Sequence, residues 1–284
     1  MGCHQAKASS QSAPRDPSTL LGRVGLRSDR NEKQANTQGE KPTSKFRRPR
    51  TRECEEAELQ VLAKSVGEQL PAGPRICILG STAFWKESTE PLVKALARRL
   101  SLSLRDSNAV VLTGGMPGVQ EVLAKGLQNG GFQRVVNLVH LGHESGFCAG
   151  EDLAAGLDAV ERRKVFASLG DVYLCIEGGA GVAEEAQAAF DNGAFILPIP
   201  STGGASGGAF DFPKAALQRP RHVSPEEWTM LETDGHPEEA ATAIVRILCR
   251  YLQAEAQKSG ELLQGASVNV DEATSEEGLS TLVC

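Results

Sequence analysis

The sequence predicts an α/β protein, a doubly wound and mainly parallel sheet of Rossmann type with helices on both faces. Three observations predict it. Between residues 75 and 199, short apolar runs of strand length alternate with stretches of helical periodicity. These runs lack a polar face, as strands do when both sides of a parallel sheet are covered. Several of them end in small or glycine-rich turns that lead into helices, and right-handed crossovers then leave a doubly wound arrangement.

Taken in order, residues 54–70 (CEEAELQVLAKSVGEQL) place Leu59, Leu62, Val66 and Leu70 near helical spacing, so an amphipathic helix is expected there. Pro71 and Pro74 end it. Residues 75–80 (RICILG) form the first strand. Ser88 or Thr89 can cap a helix running to about residue 100, with Pro91 in the tolerated first turn. Strand 109–112 (AVVL) and helix 119–128 follow, and Asn129-Gly130-Gly131 stops that helix. Residues 134–140 (RVVNLVH) form a third strand and 153–169 read mainly as helix. A fourth strand at 171–176 (DVYLCI), a helix at 182–191 and a fifth strand at 194–199 (AFILPI) complete the alternation. Weaker helices are expected at 211–217 and 225–231, and a firm one at 237–257.

Charge divides the chain. Residues 1–52 carry 12 Lys and Arg against 4 Asp and Glu, a net of +8, and the remainder carries 18 against 32, a net of −14. We therefore expect a disordered basic head over residues 1–53, a folded Rossmann-type domain over 54–258 and a flexible acidic tail over 259–284. An acidic body argues against nucleic acid as its partner. The seven cysteines form no CxxC pair and are odd in number, so they read as reduced thiols of an intracellular, cytoplasmic protein. No apolar run is long enough to span a membrane.

The head opens Met1-Gly2-Cys3. Once Met1 is removed, Gly2 is an acceptor for N-myristoylation and Cys3 for a palmitoyl chain; together they would anchor the chain peripherally to a membrane. Ala6 stands where that signal usually has a small hydroxyl residue, and an ordinary free terminus is the alternative. The run SKFRRPRTR at 44–52 fits a nuclear signal, a patch that assists a lipid anchor, or a solvated linker. An organelle transit peptide is a further reading of the Arg- and Ser-rich head.

The middle of the chain is organised around Glu177-Gly-Gly-Ala-Gly-Val-Ala-Glu-Glu185. A strand's carboxyl end, a glycine turn and a helix amino terminus make a phosphate-sized pocket of backbone N–H groups. Gly178, Gly179, Gly181 and Val182 are its candidate ligands. Two earlier strand ends supply further candidates, Gly80 and Ser81 at the first, and Thr113, Gly114, Gly115 and Gly118 at the second. Ordered glycine turns that open helices imply a nucleotide or phosphosugar ligand. No GxxxxGK[ST] is present, and the turn after Ile176 lacks the third glycine of the dinucleotide fingerprint. His140 and His143 invite a metal, but no third ligand is evident, so neither metal nor cofactor is expected. The loop STGGASGG at 201–208 reads as a lid or as a mobile linker.

The segment ERRKVFASLGDVYLCIEGGAGVAEE (161–185) resembles the pattern RK, strand, PGGxGTxxE of the LOG phosphoribohydrolases and the wider SLOG superfamily. LGS at 79–81 and TGGMPGVQE at 113–121 are similar to that family's first two loops, and the resemblance spans roughly residues 75–200. It implies cleavage of the N-glycosidic bond of a cytokinin-type or purine nucleoside 5′-monophosphate, releasing the base and ribose 5-phosphate. Carried over by position, the catalytic pair is Arg163 and Glu185, and the backbone of Gly179, Gly181 and Val182 takes the 5′-phosphate. Two positions depart from the pattern, with Glu177 at its Pro and Val182 at its Thr. SLOG domains also serve as non-catalytic nucleotide sensors, which is the alternative function. Family members commonly pair, implying a homodimer, with residues 54–70 serving as its interface or as an intramolecular cover.

Overall fold

A computed structural model describes residues 52–259. Most of the predicted head and tail, with Gly2 and Cys3, lie outside the described residues. Six strands form one sheet: β1 (Arg75–Gly80), β2 (Val110–Thr113), β3 (Val135–Val139), β4 (Glu151–Ala154), β5 (Val172–Ile176) and β6 (Phe195–Pro198). Every strand pair is parallel, in the order β4-β3-β2-β1-β5-β6. The helices are α1 (Arg52–Gln69), α2 (Thr89–Leu104), α3 (Val119–Asn129), α4 (Ala159–Phe166), α5 (Ala180–Asp191), α6 (Pro225–Glu232) and α7 (Pro237–Ser259).

Alternate strand residues feed opposite layers, as the two-residue period of a strand requires. Ile76, Ile78, Val111, Val172 and Leu174 pack with α2, α3, α6 and α7, whereas Cys77, Leu79, Leu112, Tyr173 and Cys175 pack with α1, α4 and α5. Val66 of α1 and Leu70, the residue that follows it, are buried in that second layer, so α1 covers that face of its own chain. Cys77 and Cys175 are buried free thiols, and burial pushes both well above the usual thiol range.

The chain builds outward from β1 to β4 on one side, then returns to place β5 on the other side of β1. The reversal falls between β1 and β5, whose carboxyl ends flank the crevice in which open parallel sheets bind ligands.

Three expectations are corrected. Residues 153–169 are not mainly helix: β4 pairs with β3 from Val136↔Glu151 to Val139↔Ala154, and α4 begins only at Ala159. The Asp158 carboxylate accepts the Val160 and Glu161 N–H groups at 2.8 Å each, which fixes that later start. The expected helix at 211–217 is one 3-10 turn, Lys214–Leu217. Ser88 precedes α2, but its side chain makes no capping bond. Among the described residues, no helix is long and apolar enough to cross a membrane.

Candidate functional site

The site grows from the end of β5. Glu177 follows the strand with φ 55°, Gly178 takes φ 97°, and Gly179 is the N-cap of α5. Gly178 is required twice over, by its positive φ and because a Cβ there would lie 2.6 Å from the Val182 side chain. The N–H groups of Val182 and Ala183 donate to the Gly179 carbonyl at 3.1 and 3.2 Å. Those of Gly178, Gly179, Ala180 and Gly181 have no partner among the described residues. The open cradle is therefore residues 178–181, and the Val182 N–H, expected to take phosphate, is committed within the helix.

Glu177 has no exposed surface, and its carboxylate is taken up by the loop after β1. It accepts the Ser81 hydroxyl and the backbone N–H groups of Trp85 and Lys86, the latter two at 3.1 Å. Its own N–H donates to Thr202 Oγ1 at 2.8 Å. The acid thus ties the loop after β1 to the loop after β5, across the crevice. Proline, locked near −65°, cannot adopt this φ. The substitution at the motif's Pro therefore comes with a different turn.

The other predicted ligands mostly support this turn. Ser81 Oγ is engaged by Glu177, and a Cβ on Gly80 would lie 2.6 Å from Val119. In the second loop, the Gly114 and Met116 N–H groups donate to Gln120 Oε1 at 2.9 and 3.1 Å. Gly115 N–H donates to Thr113 Oγ1 at 3.1 Å, and Thr113 itself donates to Asn137 at 2.7 Å. Gly118 takes φ 77° and lies against Ser81 and Thr82. These N–H groups point into the scaffold. The STGGASGG segment is packed against the turn: Ala205 N–H donates to Gly178 O at 2.6 Å, Ser206 N–H to Glu177 O at 3.2 Å, and Ser206 is fully buried.

Two consecutive arginines of α4 meet two consecutive glutamates of α5. Arg162 Nη1 lies 3.3 Å from Glu185 Oε1, both side chains being buried, whereas Arg163 Nη1 lies 3.5 Å from the exposed Glu184. The structure therefore does not pair Arg163 with Glu185, as carried over from the family pattern; Arg162 takes that place. The cause is helix phase. Arg162 shares the buried face with Val165 and Phe166, three and four residues on, and one residue further turns Arg163 about 100° away. Gly114 makes room for the Arg162 guanidinium, since any Cβ there would run into Nη1. The Arg163 guanidinium instead overhangs Gly181, its Nη1 3.2 Å from where a Cβ would sit.

Burial pushes the Glu185 carboxyl up to about 7, against the opposing pull of Arg162 and Arg163. Burial likewise draws the Arg162 guanidinium below its usual range despite its partner. The pair can exchange between charged and half-neutral states near neutral pH, as a general acid or base must. A phosphate-sized row of unpaired N–H groups lies beside it at the start of the same helix. Elsewhere the His140 and His143 ring centroids lie 3.7 Å apart, and no group of three metal-type side chains occurs among the described residues.

Sequence reasoning missed Arg162, Gln120, Thr202 and Trp85 as parts of this region. Only Arg162 carried a local signal, its spacing from Val165 and Phe166.

Among solved structures, several chains are similar to this one at low identity. The structural-genomics protein TM1055 is 24% identical, with 47% of this chain and 78% of that chain covered and a TM-score of 0.41. The molybdenum cofactor carrier protein of Chlamydomonas reinhardtii is 19% identical over 44% of this chain and 76% of its own, with a TM-score of 0.38. DNA processing protein A of Streptococcus pneumoniae is 14% identical over 48% and 50%, with a TM-score of 0.35. No curated protein matches the sequence. The family model described as SLOG cluster4 matches residues 74–215, half of the chain and the whole β1–β6 region, and the protein belongs to that family, with its nucleotide-binding fold.

Proposed function

We propose that the protein binds a purine nucleoside 5′-monophosphate at the carboxyl ends of β1 and β5 and hydrolyses its N-glycosidic bond. The observation that carries this reading is the buried Arg162–Glu185 pair, with a carboxyl near neutral pKa one helical turn from an open N–H cradle. The 5′-phosphate sits on the N–H groups of residues 178–181, beneath the Arg163 guanidinium. Ribose then extends along α5 toward Glu185.

As the bond between C1′ and the base nitrogen breaks, its electron pair leaves with the base and positive charge gathers on the ribose. Ionised Glu185 stabilises that charge and accepts a proton from the attacking water, whose oxygen bonds to C1′. The departing base takes up a proton, returned from Glu185 through solvent, leaving ribose 5-phosphate and the ionised carboxylate. Arg162 keeps Glu185 ionisable in its buried setting. Because the ionised form does the work, base release rises with pH through about 7.

A second reading is favoured by the second loop. Its N–H groups are already bonded to Gln120 and Thr113, and Glu177 ties the loops after β1 and β5 together, as in a rigid module that binds nucleotide without turning it over. Incubation of the full chain with AMP and isopentenyladenosine 5′-monophosphate, with free base measured by chromatography, separates the two. Release that Glu185→Gln lowers at least about 100-fold supports hydrolysis. Binding without release supports the sensor, and absence of binding rejects both.

A further inference from the structure

Trp85 stands at the mouth of the cradle. Of the two tryptophans in the chain, Trp228 is 5% exposed and donates its Nε1–H to Glu232 at 2.7 Å, whereas Trp85 is 54% exposed. Large rings are ordinarily covered, and this one is left open at the carboxyl end of the sheet. It is also held in place. Its backbone N–H donates to both Glu177 carboxylate oxygens at 3.1 Å, and Lys86 beside it donates to the same carboxylate.

The six-membered ring edge rests on glycine backbone. Trp85 Cη2 lies 3.9 Å from where a Cβ on Gly179 would sit, and Cζ3 only 2.6 Å from that position on Gly204. A side chain at 204 would displace the ring, so the turn at Gly203–Gly204 and the staple at Glu177 both hold it beside the phosphate cradle. A preorganised, half-open indole next to an anion site has the chemistry of a stacking platform, because every nucleobase offers a π face to it.

We propose that the Trp85 indole stacks on the planar heterocycle of the bound nucleotide, making the site selective for base-bearing monophosphates over bare phosphosugars. This rests on the phosphate reading of residues 178–181. Stacking on one aromatic side chain strengthens binding by about 10-fold or more. Trp228 is buried, so quenching of the exposed tryptophan emission reports on Trp85 directly.

The test titrates the full chain with carbocyclic adenosine 5′-phosphate, whose ring lacks the oxygen that stabilises the ribosyl cation, and with ribose 5-phosphate. Affinity is measured by calorimetry and stacking by fluorescence. We expect the nucleotide to bind at least about 10-fold more tightly than ribose 5-phosphate and to quench the emission. Trp85→Phe should keep most of that preference. Trp85→Ala, with its fold checked by circular dichroism, should bind the two ligands alike. Nucleotide binding without quenching, or a preference that survives in Trp85→Ala, overturns the stacking role and leaves the phosphate site standing. If neither ligand binds the wild-type chain, the phosphate reading fails and takes this proposal with it.

Discussion

Adjacent arginines at 162 and 163 differ in what their removal exposes. Arg162→Ala leaves Glu185 buried without its cation, which costs about 3–5 kcal/mol when the carboxylate is charged. Arg163→Ala breaks an exposed pair and costs about 0–1 kcal/mol, while weakening phosphate affinity. Urea denaturation at pH 8 should separate the two, and equal losses would mean that burial of the first pair has no energetic consequence. Glu185 also sets a pH dependence. Its folded carboxyl, near 7, lies above the ordinary 4.5, so the fold holds that proton more tightly than the unfolded chain does. The resulting stability is fully present below about 4.5 and is lost as pH rises through about 7, up to about 3 kcal/mol. In Glu185→Gln this slope should flatten between pH 4.5 and 7; a slope unchanged from wild type would assign it to other groups.

The turn between β5 and α5 is where local sequence and tertiary structure part company. That a glycine turn opens a helix was legible, because strand, glycines and alanine-rich helix are contiguous. Where Glu177 points was not, since its partners Ser81 and Trp85 lie 96 and 92 residues away. β4 is illegible in the sequence for a related reason. Glu151, Asp152 and Ala154 are exposed along an edge strand, where charge blocks further pairing and no apolar run forms. β1 and β5, covered on both faces, announce themselves by RICILG and VYLCI. The turn itself makes a prediction. Glu177→Gln keeps the backbone but loses the charge that its donors face, and should lower stability by about 1–3 kcal/mol. Glu177→Pro cannot reach φ 55° and should prevent the turn from forming, so thermal unfolding should rank wild type above Gln and Gln far above Pro. A well-folded Pro variant would show that the left-handed turn is dispensable.

Across the whole molecule, the site joins segments far apart in the chain. β1 and β5 pair from Ile76↔Val172 to Gly80↔Ile176, and the Ser81–Glu177 bond continues that register past the strand ends. The exit from β6 is tied in by Ser206 N–H on Glu177 O. The reversal of strand order that creates the crevice was legible from alternating strands and helices only as a fold class. Which strands flank it depends on the spatial order β2-β1-β5, which no local pattern encodes. A ligand seated there binds a surface that exists only when the central strands are paired. It should therefore stabilise the molecule against global unfolding, not against a local opening. At a free concentration of 100 Kd, carbocyclic adenosine 5′-phosphate should add about 2.7 kcal/mol. Urea denaturation followed by far-ultraviolet circular dichroism should show one transition, with its midpoint raised and its slope unchanged. A second transition, or a slope altered by the ligand, would place the cradle on a part of the chain that opens by itself.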